Sequence, residues 1–261
     1  MSLHGHSHAH GSGHGAHAVF GARAKREEQT RILTEALAAL VPPQATAVFD
    51  LDSTLLDNGP RQARIVREFG AEKGDERLAA CTESAFPTWD LRDTLRIVGF
   101  SREGAEAVYP SLKEFWRARF FTSEYCKDDR PIAGAAQYLA RVMAQGAQLV
   151  FITGRHAGMG AGTLESFRRA GFPLPDGARV DLWLKPSEDE DDDAWKQRCH
   201  ARLLAQGHLG AAFDNEPTHV NAYKRSFPDA RVVHLDTDHS GRPVEVLESI
   251  PSVADFRLEA E

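Results

Sequence analysis

Short apolar runs alternate with helix-like segments from residue 131 onward, and this alternation limits the chain to few folds. The runs cover 148–152, 180–184, 211–213 and 231–236. An earlier run at 47–49 follows an amphipathic helix predicted over 23–41. Strands buried on both faces lack polar alternation, so these runs predict a parallel sheet. The sequence therefore predicts an α/β fold, a doubly wound parallel sheet with helices on both faces.

The stretch between the first strand and residue 131 has a different character. It contains helical segments but no comparable apolar run, which predicts an inserted α-helical cap over 59–130. The core is then formed by 23–58 and 131–261, and the residues after Asp236 are predicted to pack against the edge of the sheet.

Residues 1–22 are predicted to form a disordered tail. Six of the twelve histidines lie within the first 17 residues, interleaved with Gly, Ser and Ala. Such a composition cannot bury an apolar face. From His4 onward histidines alternate with other residues, and this pattern leads to a separate hypothesis, that the tail binds a soft divalent metal ion.

Composition excludes several classes of partner. A net charge of -7 leaves no broad basic field for a long nucleic acid. No run approaches the roughly 18 apolar residues that a membrane span needs. The three cysteines have unrelated spacings and no signal-peptide core is present, which predicts a cytoplasmic protein without disulfides. A small phosphorylated substrate remains compatible with an acidic chain, because it needs only a local cationic pocket.

Polar side chains follow the predicted strands, at the edge where open parallel sheets bind ligands. They are Asp50 and Asp52, then Thr153 and Gly154, then Lys185, then Asp214. Two carboxylates as close as Asp50 and Asp52 repel each other unless a cation or a proton neutralises one. One carboxylate can attack phosphorus and the other can serve as acid and base. Asp214 can join Asp50 to hold a hard cation through oxygen.

The order of these motifs resembles the haloacid dehalogenase-like (HAD) superfamily of phosphohydrolases over about residues 45–236. FDLDSTLLDN is similar to the first motif, FITGR to the second, and FDNEP in part to the acidic fourth motif. In this superfamily an insertion between the first two motifs is a helical cap that closes over the catalytic edge. The resemblance therefore implies a Rossmann-type core with such a cap.

The resemblance also implies a role for each matching residue. Asp50 would be the nucleophile and Asp52 the general acid and base. Mg²⁺ would be held by the Asp50 carboxylate, the Asp52 backbone carbonyl and Asp214. Thr153 and the Gly154 amide would contact the phosphoryl oxygens.

Two positions depart from the family pattern. The lysine of the third motif has two candidates: Lys196, 18 residues before Asp214, is preferred, and Lys185 is kept as a second phosphate contact. The usual second acid after Asp214 is replaced by a Thr-His pair, which leaves Glu216 as the candidate for its role.

These features predict a Mg²⁺-dependent phosphatase that hydrolyses a small phosphomonoester through an aspartyl-phosphate on Asp50. A dehalogenase of the same fold is an alternative, although release of halide does not need the proton donor that Asp52 offers. A phosphomutase and a non-catalytic metal-binding protein that uses the His-rich tail are further alternatives. The aromatic residues of the insertion are predicted to pack its core rather than to stack on substrate: Trp89, Phe115, Trp116, Phe120 and Phe121.

Overall fold

The computed structural model describes residues 26–40 and 45–258, and the predicted His-rich tail with its metal hypothesis lies outside them. The strands are β1 (Thr46–Phe49), β2 (Leu56–Asp57), β3 (Arg130–Pro131), β4 (Gln148–His156), β5 (Val180–Lys185), β6 (Leu209–Asp214), β7 (Arg231–Leu235) and β8 (Ser252–Val253). Six of them form one parallel sheet in the order β5-β4-β1-β6-β7-β8. The predicted fold class is confirmed.

The described part of the chain contains ten α-helices. They are α1 (Arg26–Ala38), α2 (Gly59–Lys73), α3 (Glu76–Ala79), α4 (Leu91–Ile97), α5 (Arg102–Phe120), α6 (Ser123–Cys126), α7 (Ala135–Ala144), α8 (Gly160–Ala170), α9 (Asp192–Gln206) and α10 (Pro217–Ser226). Short 3₁₀ turns cover Glu83–Ala85 and Ala157–Met159. None of the helices in 26–40 and 45–258 is long and apolar enough to cross a membrane.

The alternation of side chains along β1 explains why the sheet is covered on both faces. Phe49 points into a cluster formed with α1, α7 and α8, whereas Val48 points into a second cluster formed with α9 and α10. Successive side chains of a strand leave opposite faces, so a strand with apolar residues at every position must be buried on both.

The strand order places the first strand at the centre of the sheet. From β1 the chain moves outward to β4 and β5, and then returns to β6 and β7 on the other side. Val48 pairs with Val150 of β4 and with Ala212 of β6. A reversal of this kind opens a crevice at the carboxyl ends of the central strands, so β4, β1 and β6 position the candidate site.

The insertion has an apolar cluster of its own, formed by α2 to α6 around residues such as Phe69, Leu112 and Trp116. It joins the core through an antiparallel ribbon in which Leu56 pairs with Pro131. The sequence analysis missed this ribbon, because two strands of two residues leave no periodic pattern. In the main sheet β8 is an edge strand and pairs with β7, which confirms the predicted packing of the C-terminal segment.

Candidate active site

The carboxyl ends of β4, β1 and β6 meet at a cavity of about 350 Å³. Asp50 directly follows β1, Thr153 lies in the last part of β4, and Asp214 is the last residue of β6. The structure brings together all the predicted site residues except Lys185: Asp50, Asp52, Thr153, Gly154, Lys196 and Asp214.

Lys196 of α9 joins the two carboxylates that follow β1 and β6. Its Nζ donates hydrogen bonds to Asp50 Oδ1 at 2.8 Å and to Asp214 Oδ2 at 2.6 Å. All three residues are at most 6% exposed. With both carboxyls ionised the group carries two negative charges and one positive charge, so one negative charge is uncompensated until a proton or a further cation binds.

Burial and this charge imbalance shift the pKa values of the two carboxyls in opposite directions. Burial raises the pKa of Asp50 to about 7, with Lys196 opposing the shift and Asp214 adding to it. Burial also opposes the ionisation of Asp214, yet the charge of Lys196 and the contact with His219 hold the pKa of Asp214 below its usual range. The proton on this pair therefore belongs to the carboxyl that directly follows β1.

The two lysine candidates occupy different surroundings. Lys185 Nζ donates to Asp192 Oδ1 at 2.7 Å, and Lys185 is not among the residues that line the cavity. Asp192 does line the cavity and packs against Gly154, where a Cβ atom would lie 2.9 Å from the Asp192 carboxylate. Lys196 therefore contacts the predicted nucleophile directly, whereas Lys185 contacts Asp192, a residue of the cavity lining.

Asp52 is held by donors from both the core and the insertion. Its Oδ1 accepts hydrogen bonds from Asn58 Nδ2 at 2.9 Å, Arg61 Nη2 at 2.9 Å and Arg155 Nη2 at 2.6 Å. Its Oδ2 accepts from Arg155 Nε at 3.0 Å. Although burial opposes ionisation, Arg155 and Arg61 hold the pKa of Asp52 well below its usual range.

A second buried acid completes this arrangement. Asp129, immediately before β3, accepts from Arg155 Nη2 at 2.5 Å and forms a 3.0 Å ion pair with Arg61 Nε. We call Asp52, Arg61, Asp129 and Arg155 the arginine–aspartate quartet. Arg61 and Asp129 are fully buried at their side chains, and they come from the two ends of the insertion. The quartet therefore joins the insertion to the catalytic edge of the core.

The turn after Asp52 directs the chain from the core into the insertion. Ser53 has a φ of 59°, in the left-handed region that non-glycine residues seldom adopt. Its amide donates to the carbonyl of Leu56 at 2.8 Å, which starts the ribbon. Thr54 Oγ1 lies 3.3 Å from Asp50 Oδ2 and 3.0 Å from Asn215 Oδ1, so the turn also orients the predicted nucleophile.

The candidate for the second acid of the fourth motif is engaged elsewhere. Glu216 lines the cavity, but its carboxylate accepts from the backbone and the hydroxyl of Ser240 at 2.9 and 2.8 Å. His219 approaches Asp214 instead, with 3.4 Å between Nδ1 and Oδ1, and its Nε2 lies 2.8 Å from Asp193 Oδ1. The chain thus supports Asp214 with an imidazole.

The donor set fits Mg²⁺ better than a metal that needs a full set of protein ligands. Within 26–40 and 45–258 no three His, Cys, Asp or Glu side chains converge on one point as a metal site. Structural zinc sites use four such ligands and catalytic ones three. Mg²⁺ keeps several waters and takes one or two carboxylates together with substrate phosphate. Asp50 and Asp214, with their uncompensated negative charge, provide that set.

No family model and no curated protein matches this sequence. CbbY from Rhodobacter sphaeroides in complex with phosphate is similar at 14% identity, with 82% of this chain and 95% of that chain covered and a TM-score of 0.49. A predicted phosphoglycolate phosphatase from Haemophilus somnus has 14% identity, the same coverages and a TM-score of 0.47. A haloacid dehalogenase-like family hydrolase from Streptococcus pneumoniae has 11% identity, coverages of 74% and 84%, and a TM-score of 0.41.

Proposed function

We propose that this protein is a HAD-like, Mg²⁺-dependent phosphatase that hydrolyses a small phosphomonoester with Asp50 as the covalent nucleophile. The observation that carries the proposal is the contact of Lys196 with Asp50 and Asp214 at the ends of neighbouring strands. Two buried carboxylates with a single cation are costly for stability alone. They become useful when a divalent cation and an anionic substrate complete the charge balance.

The chemistry follows from the position of Asp50. One oxygen of the ionised Asp50 carboxylate attacks phosphorus, the bond from phosphorus to the ester oxygen breaks, and that oxygen takes up a proton, for which Asp52 is the candidate donor, and leaves as the alcohol. Water then attacks the aspartyl-phosphate, which releases inorganic phosphate and restores the carboxylate. Thr153, Gly154 and Lys196 are the candidates for contacts with the phosphoryl oxygens. Bound Mg²⁺ would screen the charge of the phosphoryl group from that of the carboxylate.

Asp52 remains our candidate for proton transfer, but it needs a change in its surroundings to act. A carboxylate with so low a pKa holds no proton to donate and binds one weakly. Arg61 belongs to α2, so a movement of the insertion would withdraw one of the two arginines. We propose that residues 59–130 form a cap that excludes water when it closes, and that its movement changes the contact between Arg61 and Asp52 and so adjusts Asp52 for acid–base work.

The direct test is release of phosphate from para-nitrophenyl phosphate with Mg²⁺ and with EDTA, in the wild type and in Asp50→Asn. Para-nitrophenolate leaves without a proton, so this substrate reports on the nucleophile rather than on Asp52. We expect Mg²⁺-dependent turnover that falls at least about 1,000-fold in Asp50→Asn.

The matched control is Asp229→Asn, an exposed acid just before β7, at the other end of the strands. It should keep wild-type turnover. Trapping of acid-stable or hydroxylamine-sensitive phosphate on the wild type, and not on Asp50→Asn, would locate the covalent step. Equal turnover by wild type and Asp50→Asn would refute the proposal.

A further inference from the structure

Four aromatic side chains of the insertion line the cavity that holds the predicted nucleophile: Trp89, Trp116, Phe120 and Phe121. We call these four residues the aromatic wall. Trp116 and Phe120 stack with their centroids 4.3 Å apart, and Trp89 meets both rings nearly at right angles. Phe121 also contacts both, at 5.7 and 5.2 Å. The wall is therefore continuous and faces the carboxylates from the insertion.

The members of the wall differ in how much ring surface they leave for a ligand. Trp116 and Phe120 are 4% and 3% exposed, so the prediction that they pack the core of the insertion is right for these two. Trp89 and Phe121 are only half-buried. Arg61 covers one face of Phe120 at 3.9 Å and Trp116 covers the other. A ligand would therefore meet chiefly the half-buried rings.

The charges around the wall decide which kind of ligand suits it. Aromatic faces attract cations as well as other rings. Here the protein supplies the cations itself, because Arg61 lies over Phe120 and Lys113 Nζ lies 4.7 Å from the centroid of Trp116. These ring faces are therefore already occupied by cations of the protein and are not open to a cationic group of a ligand. A neutral planar ring can stack on, or pack edgewise against, the remaining surface.

We propose that the aromatic wall selects phosphomonoesters whose leaving group carries a planar aromatic ring; this rests on the phosphatase function proposed above. The ester oxygen would lie at the catalytic edge and the ring against Trp89 and Phe121.

The test compares two esters of the same length and similar bulk, benzyl phosphate and cyclohexylmethyl phosphate. Both release a primary alcohol, so only the ring differs. We expect kcat/KM for the benzyl ester to be roughly three- to tenfold higher, as stacking interactions allow. Trp89→Leu and Phe121→Leu, which keep apolar bulk, should each reduce that preference. Phe115→Leu is the control, because Phe115 packs on Phe69 within the insertion and does not line the cavity.

A binding measurement separates failure of this inference from failure of the phosphatase function. Benzylphosphonate and cyclohexylmethylphosphonate cannot be hydrolysed, and calorimetry with Mg²⁺ gives their affinities for the wild type. Tighter binding of benzylphosphonate without hydrolysis of any monoester would overturn the phosphatase function and keep the aromatic preference. Equal binding, or binding of neither, would overturn the aromatic preference, whatever the turnover.

Discussion

Two acids that are separated by one residue at the end of β1 belong to clusters with opposite charge balance. Asp50 shares one ammonium group, that of Lys196, with Asp214, so its cluster has an excess negative charge. Asp52 belongs to the quartet, where two arginines face two aspartates and the charges cancel. Burial raises the pKa of Asp50 to about 7, whereas the two arginines hold the pKa of Asp52 well below its usual range.

Burial opposes the ionisation of both acids, and the difference between them follows from the number of cations that face each carboxylate. A cluster with an excess negative charge is prepared to bind a cation or a proton. A balanced cluster needs no ligand to neutralise its charge, and removal of one member leaves a buried charge without a partner. The first cluster is therefore suited to ligand binding, and the second to holding the insertion against the core.

The largest effect should come from removing a cation of the balanced cluster. In Arg155→Met both Asp52 and Asp129 lose a partner within hydrogen-bond distance. We expect the free energy of unfolding to fall by about 3–5 kcal/mol. Urea denaturation measures it, with Arg169→Met as the control, because Arg169 forms an exposed pair that should contribute no more than about 1 kcal/mol.

The same variant also tests whether the quartet acts through charge balance. In Arg155→Met the carboxylates of Asp52 and Asp129 share Arg61 alone, so adding Asp129→Asn removes the excess negative charge and should recover part of the lost stability. A loss below about 1 kcal/mol in the single variant, with no recovery in the double, would show that packing rather than charge maintains the quartet.

Lys196→Met should have the next largest effect, and one that depends on magnesium. Without the ammonium group, Asp50 and Asp214 repel each other, so in EDTA we expect a loss of about 3 kcal/mol in the free energy of unfolding. Mg²⁺ binds the folded state and stabilises it by mass action. The stabilisation by saturating Mg²⁺ should be larger in Lys196→Met than in the wild type, because the site carries an additional negative charge.

Arg155→Met provides the comparison for that measurement. Its stabilisation by Mg²⁺ should equal that of the wild type, since the quartet does not share the uncompensated charge. If Lys196→Met gained no more from Mg²⁺ than Arg155→Met, the cation would bind away from Asp50 and Asp214.

The two clusters also differ in how far the sequence predicts them. Asp50 and Asp214 each stand at the end of an apolar run, and the topology of parallel sheets brings such ends together. Lys196 is preferred over Lys185 by resemblance to the third motif, with its distance of 18 residues from Asp214 as support. The same apolar runs predict the fold class and most strand positions, because strands that are buried on both faces are continuously apolar.

The quartet can be predicted from the sequence only in part. Asp52 and Arg155 lie in recognised motifs, but Arg61 lies in an amphipathic helix that contains several arginines, and Asp129 lies at an insertion boundary without periodic signal. Nothing local marks a residue that becomes buried by pairing across two segments far apart in sequence. The aromatic residues of the insertion are alike in the sequence, whereas in the structure Trp89 and Phe121 are half-buried and line the cavity and Trp116 and Phe120 are buried.

The smallest effect we predict is a difference in pH dependence between the two acids. The pKa of Asp50 is raised from 3.8 to about 7, so between these values the folded protein keeps a proton that the unfolded chain releases. Stability in EDTA should then fall as pH rises through this window, by at most about 1.4 kcal/mol per pH unit. Asp50→Asn should flatten that decline.

Asp52→Asn should behave in the opposite way, because the pKa of Asp52 is lowered. The stabilisation that Asp52 provides is fully present above the unfolded value of 3.8 and is lost only as pH falls below it. The Asp52→Asn curve should therefore lie below that of the wild type and run parallel to it between about pH 5 and pH 7. Urea denaturation at several pH values measures all three curves. A wild-type slope that survives in Asp50→Asn and disappears in Asp52→Asn would exchange the assignments of the two clusters, and with them the choice of nucleophile.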